Sequence, residues 1–139
     1  MTSRRALLIS PFLVRLCAGF EQTAELLRGK LVQNAGQQPS LETQAHKVVP
    51  VTGDEPTGKI LRDLRLAGKI LEVKGHWADT SRFAIDPIET RPMVVVDGTK
   101  RFRVTYYCDV CSIRTYSPGP CMCCQAETRL DLIDPAAKE

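Results

Sequence analysis

The segment from Cys108 to Cys124 reads CDVCSIRTYSPGPCMCC, and the interpretation of the whole chain starts from it. It holds five of the six cysteines of a 139-residue chain, and four of them form two C-x-x-C units, Cys108/Cys111 and Cys121/Cys124. Nine residues separate the units; they begin with β-forming residues and end in a Pro-Gly-Pro turn. A hairpin over these nine residues would bring the two units face to face.

Two cysteines three residues apart on a tight turn can hold one metal ion while backbone N–H groups point at their sulfurs. A second such turn completes a tetrahedral four-sulfur site, with each sulfur about 2.3 Å from Zn²⁺. The sequence therefore predicts one structural zinc ion, which would supply folding energy to a segment with little core of its own. The predicted ligands are Cys108, Cys111, Cys121 and Cys124, with Cys123 as an alternative ligand.

The paired C-x-x-C units resemble a zinc ribbon over roughly residues 103–132, with strand-like runs at Phe102–Tyr107, Ile113–Ser117 and Thr128–Ile133. In that family four thiolates hold a structural zinc ion, which the resemblance carries onto the four cysteines above. The nine-residue spacer is shorter than the 15–20 residues of the commonest zinc pattern. Ser112 and Gln125 stand where the family usually has glycine, so each must adopt or avoid the turn conformation that glycine takes easily.

Two other chemistries are compatible with the same cysteines. Disulfides would be expected in an oxidising compartment, and a rubredoxin-like or iron–sulfur centre would also use thiolate ligands. Zinc is favoured over both by the ligand spacing and the closed ligand count. A c-type haem is excluded because neither C-x-x-C unit is followed by histidine.

The residues before the cysteines predict a mainly β fold. Alternating apolar residues and turn signals indicate strands, and Asp54-Glu55-Pro56-Thr57 indicates the start of one helix ending near Gly68. The predicted apolar face of that helix is Ile60, Leu61, Leu64 and Ala67. The predicted strands are Leu26–Val32, Lys47–Val51, Lys69–Trp77, Arg82–Ile88, Met93–Val96 and Lys100–Tyr107.

This order loosely resembles a small OB-like barrel over residues 26–107, followed by a zinc-ribbon hairpin over 103–133 and a tail at 134–139. Residues 33–40 are interpreted as a loop. With that loop, the helix falls between the second and third strands, whereas an OB-fold usually has it between the third and fourth.

The first twenty residues allow two interpretations. Arg4 and Arg5 precede the apolar run Ala6–Val14, and small residues follow at 17–19, which is the layout of a secretory signal. The alternative is an N-terminal helix packed on the core of a cytoplasmic protein. The pattern slightly favours export to the cell envelope. No apolar run reaches the ~18 residues of a membrane span, so no transmembrane span is predicted.

No catalytic constellation is visible in the sequence. There are two histidines, His46 and His76, no Gly-rich phosphate loop and no paired carboxylates. A zinc ion held by four thiolates has no open position for water. We therefore expect a non-enzymatic accessory, assembly or binding module whose partner is another protein.

Nucleic-acid binding and thiol chemistry are the two alternative functions. The net charge of +3 is too small to identify a nucleic-acid binder by itself. If the nucleic-acid alternative holds, the predicted phosphate contacts are Lys59, Arg62, Arg65, Lys100, Arg101 and Arg103. A thiol-redox or iron electron-transfer protein would instead use the second cysteine unit together with Cys123.

Overall fold

A computed structural model describes residues 23–89 and 92–136. The predicted export segment at 1–20 and the last three residues of the predicted tail lie outside the described ranges. The strands are β1 (Glu25–Val32), β2 (Ser40–Glu42), β3 (Val48–Thr52), β4 (Ile70–Trp77), β5 (Phe83–Ile85), β6 (Val94–Asp97), β7 (Lys100–Cys108), β8 (Ile113–Thr115) and β9 (Arg129–Ile133). Helix α1 spans Glu55–Leu61, and a 3-10 turn follows at Leu64–Leu66.

Five strands close into a barrel. β1 pairs with β2 on one side and with β4 on the other, all antiparallel. β2 pairs with β3, and β4 pairs with β5. The parallel pairing of β3 with β5, where Val51 lies opposite Phe83, closes the ring. The predicted mainly β class with a small OB-like barrel and one short helix is confirmed.

Strand β2 was missed by the sequence prediction, which placed residue 40 in a loop. Only Leu41 of its three residues is apolar, so no alternation is visible, yet Leu41 is fully buried. With β2 present, α1 lies between the third and fourth strands. The predicted departure from the OB-like order is therefore wrong.

Helix α1 begins where predicted and ends earlier. The Asp54 carboxylate accepts the backbone N–H of Thr57 at 3.0 Å and caps the helix. The helix ends at Leu61, because Asp63 accepts the N–H of Arg65 and begins the separate 3-10 turn. Leu64 is consequently 81% exposed, so the predicted apolar face holds only at Ile60 and Leu61.

One hydrophobic core serves both the barrel and the cysteine-bearing strands. Val104 and Tyr106 of β7 belong to the same buried cluster as barrel residues such as Leu41 and Leu71. Leu130 and Leu132 of β9 pack against that cluster. β7 pairs with β6 at residues 100–103, with β9 at 103–107 and with β8 at 106–108. A single strand therefore runs from the barrel to the first cysteine.

The helices in the described part of the chain are too short to cross a lipid bilayer.

Candidate metal centre

The structure brings four cysteine sulfurs together at the far end of β7. Cys108 is the last residue of β7, and Cys111 follows on the turn before β8. Cys121 and Cys124 come from the turn between β8 and β9. All four sulfurs lie within 4.8 Å of one another, and Cys108 and Cys121 are buried. These are the four cysteines that the spacing predicted.

The cluster has the dimensions of a four-sulfur metal site. Sulfurs bound at about 2.3 Å to a tetrahedral Zn²⁺ lie roughly 3.8 Å apart, and the Sγ atoms of Cys108 and Cys124 are separated by 3.5 Å. The N–H of Cys111 donates to Cys108 Sγ at 3.4 Å, and the N–H of Cys123 donates to Cys121 Sγ at 3.4 Å. These N–H contacts would stabilise the thiolate forms that bind a metal.

Both cysteine turns adopt the backbone conformation that glycine takes easily. Ser112 has a φ of 53° and Gln125 a φ of 61°, and each follows the second cysteine of its unit. The left-handed region costs roughly 1–2 kcal/mol for a residue with a Cβ atom. The chain therefore keeps the turn geometry without the glycines that the resemblance led one to expect.

The thiols of the cluster differ in acidity. Backbone N–H groups of Cys124 and Cys123 lower the pKa of Cys121 to about 7. The neighbouring thiols of Cys123 and Cys124 raise the pKa of Cys111. At Cys108 the N–H of Cys111 pulls the pKa down, but burial and the nearby thiols raise it overall. Metal binding here would displace protons, because the metal takes thiolates rather than thiols.

Cys123 is not one of the four clustered sulfurs. Its side chain is exposed and its thiol contacts Cys111 from outside the group. The adjacent Met122 is 88% exposed, so the tip of the second turn projects into solvent. Among the residues described, the five cysteines form no disulfide. The structure thus places the Cys123 sulfur outside the four-sulfur cluster but in contact with it at Cys111.

A partly buried polar network connects the second cysteine turn to the barrel. Asp63, between α1 and the 3-10 turn, accepts the Tyr106 hydroxyl at 2.7 Å and the Arg65 guanidinium at 2.9 Å. Arg65 also donates to the Thr128 carbonyl at 3.3 Å, and the Thr128 hydroxyl donates to the Gly119 carbonyl at 2.8 Å. No motif signalled this network, because its members are 43 and 63 residues apart along the chain.

The network changes the acidity of its members. Burial alone would raise the pKa of Asp63, but hydrogen bonds from Arg65 and Tyr106 lower it overall. Burial and the bond to Asp63 raise the pKa of Tyr106. Tyr106 therefore stays a neutral donor and Asp63 stays ionised.

The outer side of the cysteine-bearing strands is held by two arginines. The guanidinium of Arg114 on β8 and that of Arg129 on β9 lie 5.0 and 5.1 Å from the ring centre of Tyr107 on β7. Arg114 also donates to Asp131 at 2.7 Å and lowers the pKa of that carboxylate. The ring of Tyr107 is therefore already in contact with two arginines of its own sheet.

The six cations predicted for nucleic acid fall on two surfaces. Lys59, Arg62 and Arg65 line a groove of about 1320 Å³ that also contains the β1–β2 loop and the Pro118-Gly119-Pro120 turn. In that group, Lys59 pairs with Glu55 at 3.2 Å, and Arg65 is held by Asp63. Lys100, Arg101 and Arg103 lie on β7, outside the groove.

Fold and site together define a small β-barrel protein with a four-cysteine cluster that could hold a metal ion. Comparison with known proteins adds no relative, since no family model, curated protein or solved structure matches the chain.

Proposed function

We propose that the protein is a non-enzymatic binding module whose cysteine cluster holds one structural zinc ion. The observation that carries this proposal is the gathering of four sulfurs within 4.8 Å at the end of β7. That strand also contributes Val104 and Tyr106 to the barrel core, so a metal bound at its end would stabilise both parts.

The donor set fits zinc. Four thiolates satisfy tetrahedral Zn²⁺ completely, and a site without an open position binds no water for catalysis. When bound, the metal supplies folding energy to the turns around it. In this proposal residues 26–107 form the binding barrel and residues 103–133 form the zinc ribbon, with the shared strand holding them rigidly.

The proposed partner is another protein, which makes the chain an accessory or assembly subunit. The nucleic-acid alternative has weaker support, because its six cations lie on two surfaces and Lys59, Arg65 and Arg101 are paired with carboxylates. The thiol-redox and iron alternatives use the same cysteines, and the metal assay below separates them from zinc.

The test is elemental analysis combined with a free-thiol count on protein purified without added metal. We expect one zinc ion per chain, lost in Cys108→Ser and in Cys124→Ser and retained in the matched control Cys123→Ser. Paired cysteines without metal would show that the cluster forms disulfides, which contradicts the zinc site. A visible absorption band with bound iron would show that the cluster is an iron centre suited to electron transfer, which also contradicts the zinc site.

A further inference from the structure

The outward side of β1, β4, β6 and β7 forms a continuous face across four strands. In one row, Arg28 lies opposite Glu72, Glu72 opposite Val94, and Val94 opposite Arg103. The adjacent row consists of Lys30, Ile70, Val96 and Arg101. Residues directly opposite one another on paired strands point to the same side of the sheet. We call these two rows, together with Leu26 and Lys74 of the next row on β1 and β4, the outer sheet face.

A buried carboxylate fixes two arginines on this face. Glu72 is 3% exposed although it lies on the outward side of β4. Its Oε2 accepts Arg28 Nη2 at 2.9 Å, and its Oε1 accepts Nη2 of Arg101. The two arginine side chains remain 54% and 49% exposed. Both guanidiniums are therefore held in place while part of each still faces solvent.

The face carries surplus positive charge. Arg28, Arg101, Lys30, Arg103 and Lys74 oppose the single carboxylate of Glu72, which leaves about four positive charges at neutral pH. Lys30 and Arg103 form no ion pair with any residue in the described ranges. The guanidiniums held by Glu72 need no further ordering before they meet an anion, which favours binding.

Exposed aliphatic side chains lie among these charges. Ile70 is 44% exposed in the second row, and Leu26, two residues before Arg28 on the same side of β1, is 54% exposed. The two rows contain no aromatic side chain on which a base could stack. A phosphate backbone could neutralise the arginines but would leave the aliphatic groups uncovered. A protein surface can cover both, and arginine is enriched at such interfaces.

We propose that the outer sheet face is the docking surface for an acidic protein partner that also presents aliphatic side chains. Carboxylates of the partner meet Arg28 and Arg101 as paired acceptors, and its aliphatic groups cover Leu26 and Ile70. The inference rests on the proposed function as a binding module and supplies the surface and the chemistry of the partner.

The test uses three probes of equal negative charge: a peptide of alternating glutamate and leucine, an oligoglutamate, and a single-stranded oligonucleotide. Affinities for the zinc-loaded full chain are measured at low salt by fluorescence anisotropy. We expect the alternating peptide to bind at least about tenfold more tightly than the other two probes. Failure of the peptide to bind at all, or tightest binding of the oligonucleotide, overturns the proposal.

Two double variants locate the binding. Lys30→Gln with Arg103→Gln removes two unpaired charges from the face, and we expect peptide affinity to fall about tenfold. The matched control, Lys59→Gln with Arg62→Gln, removes the same charge from the α1 surface and should leave affinity unchanged. Equal losses in both variants would mean that net charge alone attracts the peptide, which contradicts a docking surface.

A third variant addresses the apolar component. Leu26→Ser with Ile70→Ser should weaken the alternating peptide and leave oligoglutamate binding as it was. Light scattering on the same samples gives the oligomeric state. A dimer that Lys30→Gln with Arg103→Gln dissociates would identify a second copy of this chain as the occupant and overturn the acidic partner.

The zinc content of every sample keeps the two proposals apart. Zinc-loaded, folded protein that does not bind the alternating peptide contradicts the docking surface alone. Protein isolated without chelator that holds no zinc, yet is folded and binds the peptide through Lys30 and Arg103, contradicts the structural zinc alone.

Discussion

The hydroxyl of Tyr106 donates to Asp63 Oδ2 over 2.7 Å and joins the strand that ends at the cysteine cluster to the turn that follows helix α1. Tyr106 is fully buried, and the Arg65 guanidinium lies 5.3 Å from its ring centre. Because Arg65 also holds the Thr128 carbonyl, the contact connects β7, the barrel and the second cysteine turn. Loss of metal at the cysteines should therefore lower the stability of the barrel, although the barrel keeps its own five-stranded ring and stays folded.

Replacing Tyr106 by Phe tests how much this contact contributes to the free energy of unfolding. The substitution keeps the ring in the core and removes only the hydroxyl, so Asp63 loses one donor. We expect the free energy of unfolding to fall by about 1–3 kcal/mol, because a carboxylate inside the protein is left short of a partner. Chemical denaturation of the zinc-loaded protein measures this decrease in the free energy of unfolding. The control is Tyr116→Phe on the exposed Tyr116, which should change stability by less than about 0.5 kcal/mol.

Asp63 also predicts how stability depends on pH. Its pKa in the folded protein lies below the ordinary value of 3.8, so the folded state binds fewer protons than the unfolded state in acid. The stability that Asp63 contributes is therefore fully present well above pH 4 and is lost as the pH falls through the folded pKa.

The variant Asp63→Asn should be less stable than the parent at neutral pH, with the difference shrinking below about pH 4. Denaturation curves of the two proteins at a series of pH values give this difference directly, and loss of zinc in acid affects both alike. A difference that stays constant down to pH 2 would show that folding does not shift the pKa of Asp63.

Removal of zinc should change the spectroscopic signal of the tyrosines and leave the fluorescence of the tryptophan unchanged. The chain has one tryptophan, Trp77 on β4, whereas all three tyrosines lie between residues 106 and 116. We expect a chelator to change the near-ultraviolet circular dichroism of the tyrosines while the emission maximum of Trp77 stays constant. A simultaneous shift of the tryptophan emission would mean that the barrel unfolds with the ribbon.

The left-handed turn residues offer a stabilising substitution. Gln125 has a φ of 61°, and replacing it by glycine removes the clash of its Cβ atom. We expect Gln125→Gly to raise the free energy of unfolding by roughly 0.5–1 kcal/mol after the entropy cost of glycine. Glu127→Gly is the control, since Glu127 is outside the positive-φ region and should lose stability. Thermal denaturation of the zinc-loaded proteins compares them, and equal losses would contradict the expectation.

Gly75 should be the least replaceable glycine of the barrel. A Cβ atom there would overlap the backbone oxygen of Ala84, across the β4–β5 pairing. We expect Gly75→Ala to destabilise by about 3 kcal/mol or to prevent folding, because backbone cannot yield as a side chain does. At Gly98, with φ +59° and open space around it, alanine should cost only about 1–2 kcal/mol. Denaturation midpoints and soluble yield would rank the two variants.

The sequence predicted the parts of the fold that have a local signature. Alternation gave β4 and β7 within a residue at each end, and Asp97-Gly98 marked the β6–β7 hairpin. The two C-x-x-C units predicted which four sulfurs the structure gathers. These features depend on residues close together in the chain, which is why a pattern can reveal them.

What the sequence missed depends on tertiary contacts. β2 is three residues long and exists because β1 and β3 pair with it on either side. The Asp63 carboxylate ends the helical pattern by capping the next turn and receiving Tyr106 from β7. Glu72 looked like an ordinary polar residue of a strand, and only the register shows that Arg28 and Arg101 cover it. No local pattern carries that information.

All five strands of the barrel, from Glu25 to Ile85, precede the clustered cysteines in the chain. During synthesis the ring can therefore close while the metal ligands are still inside the ribosome. Its core is complete only after Val104 and Tyr106 arrive, on the strand that ends at Cys108. If the cluster holds zinc as proposed, metal loading follows closure of the ring, and we expect zinc shortage to leave closed barrels whose last strands are not fixed at the cysteine end and are open to proteases and chaperones.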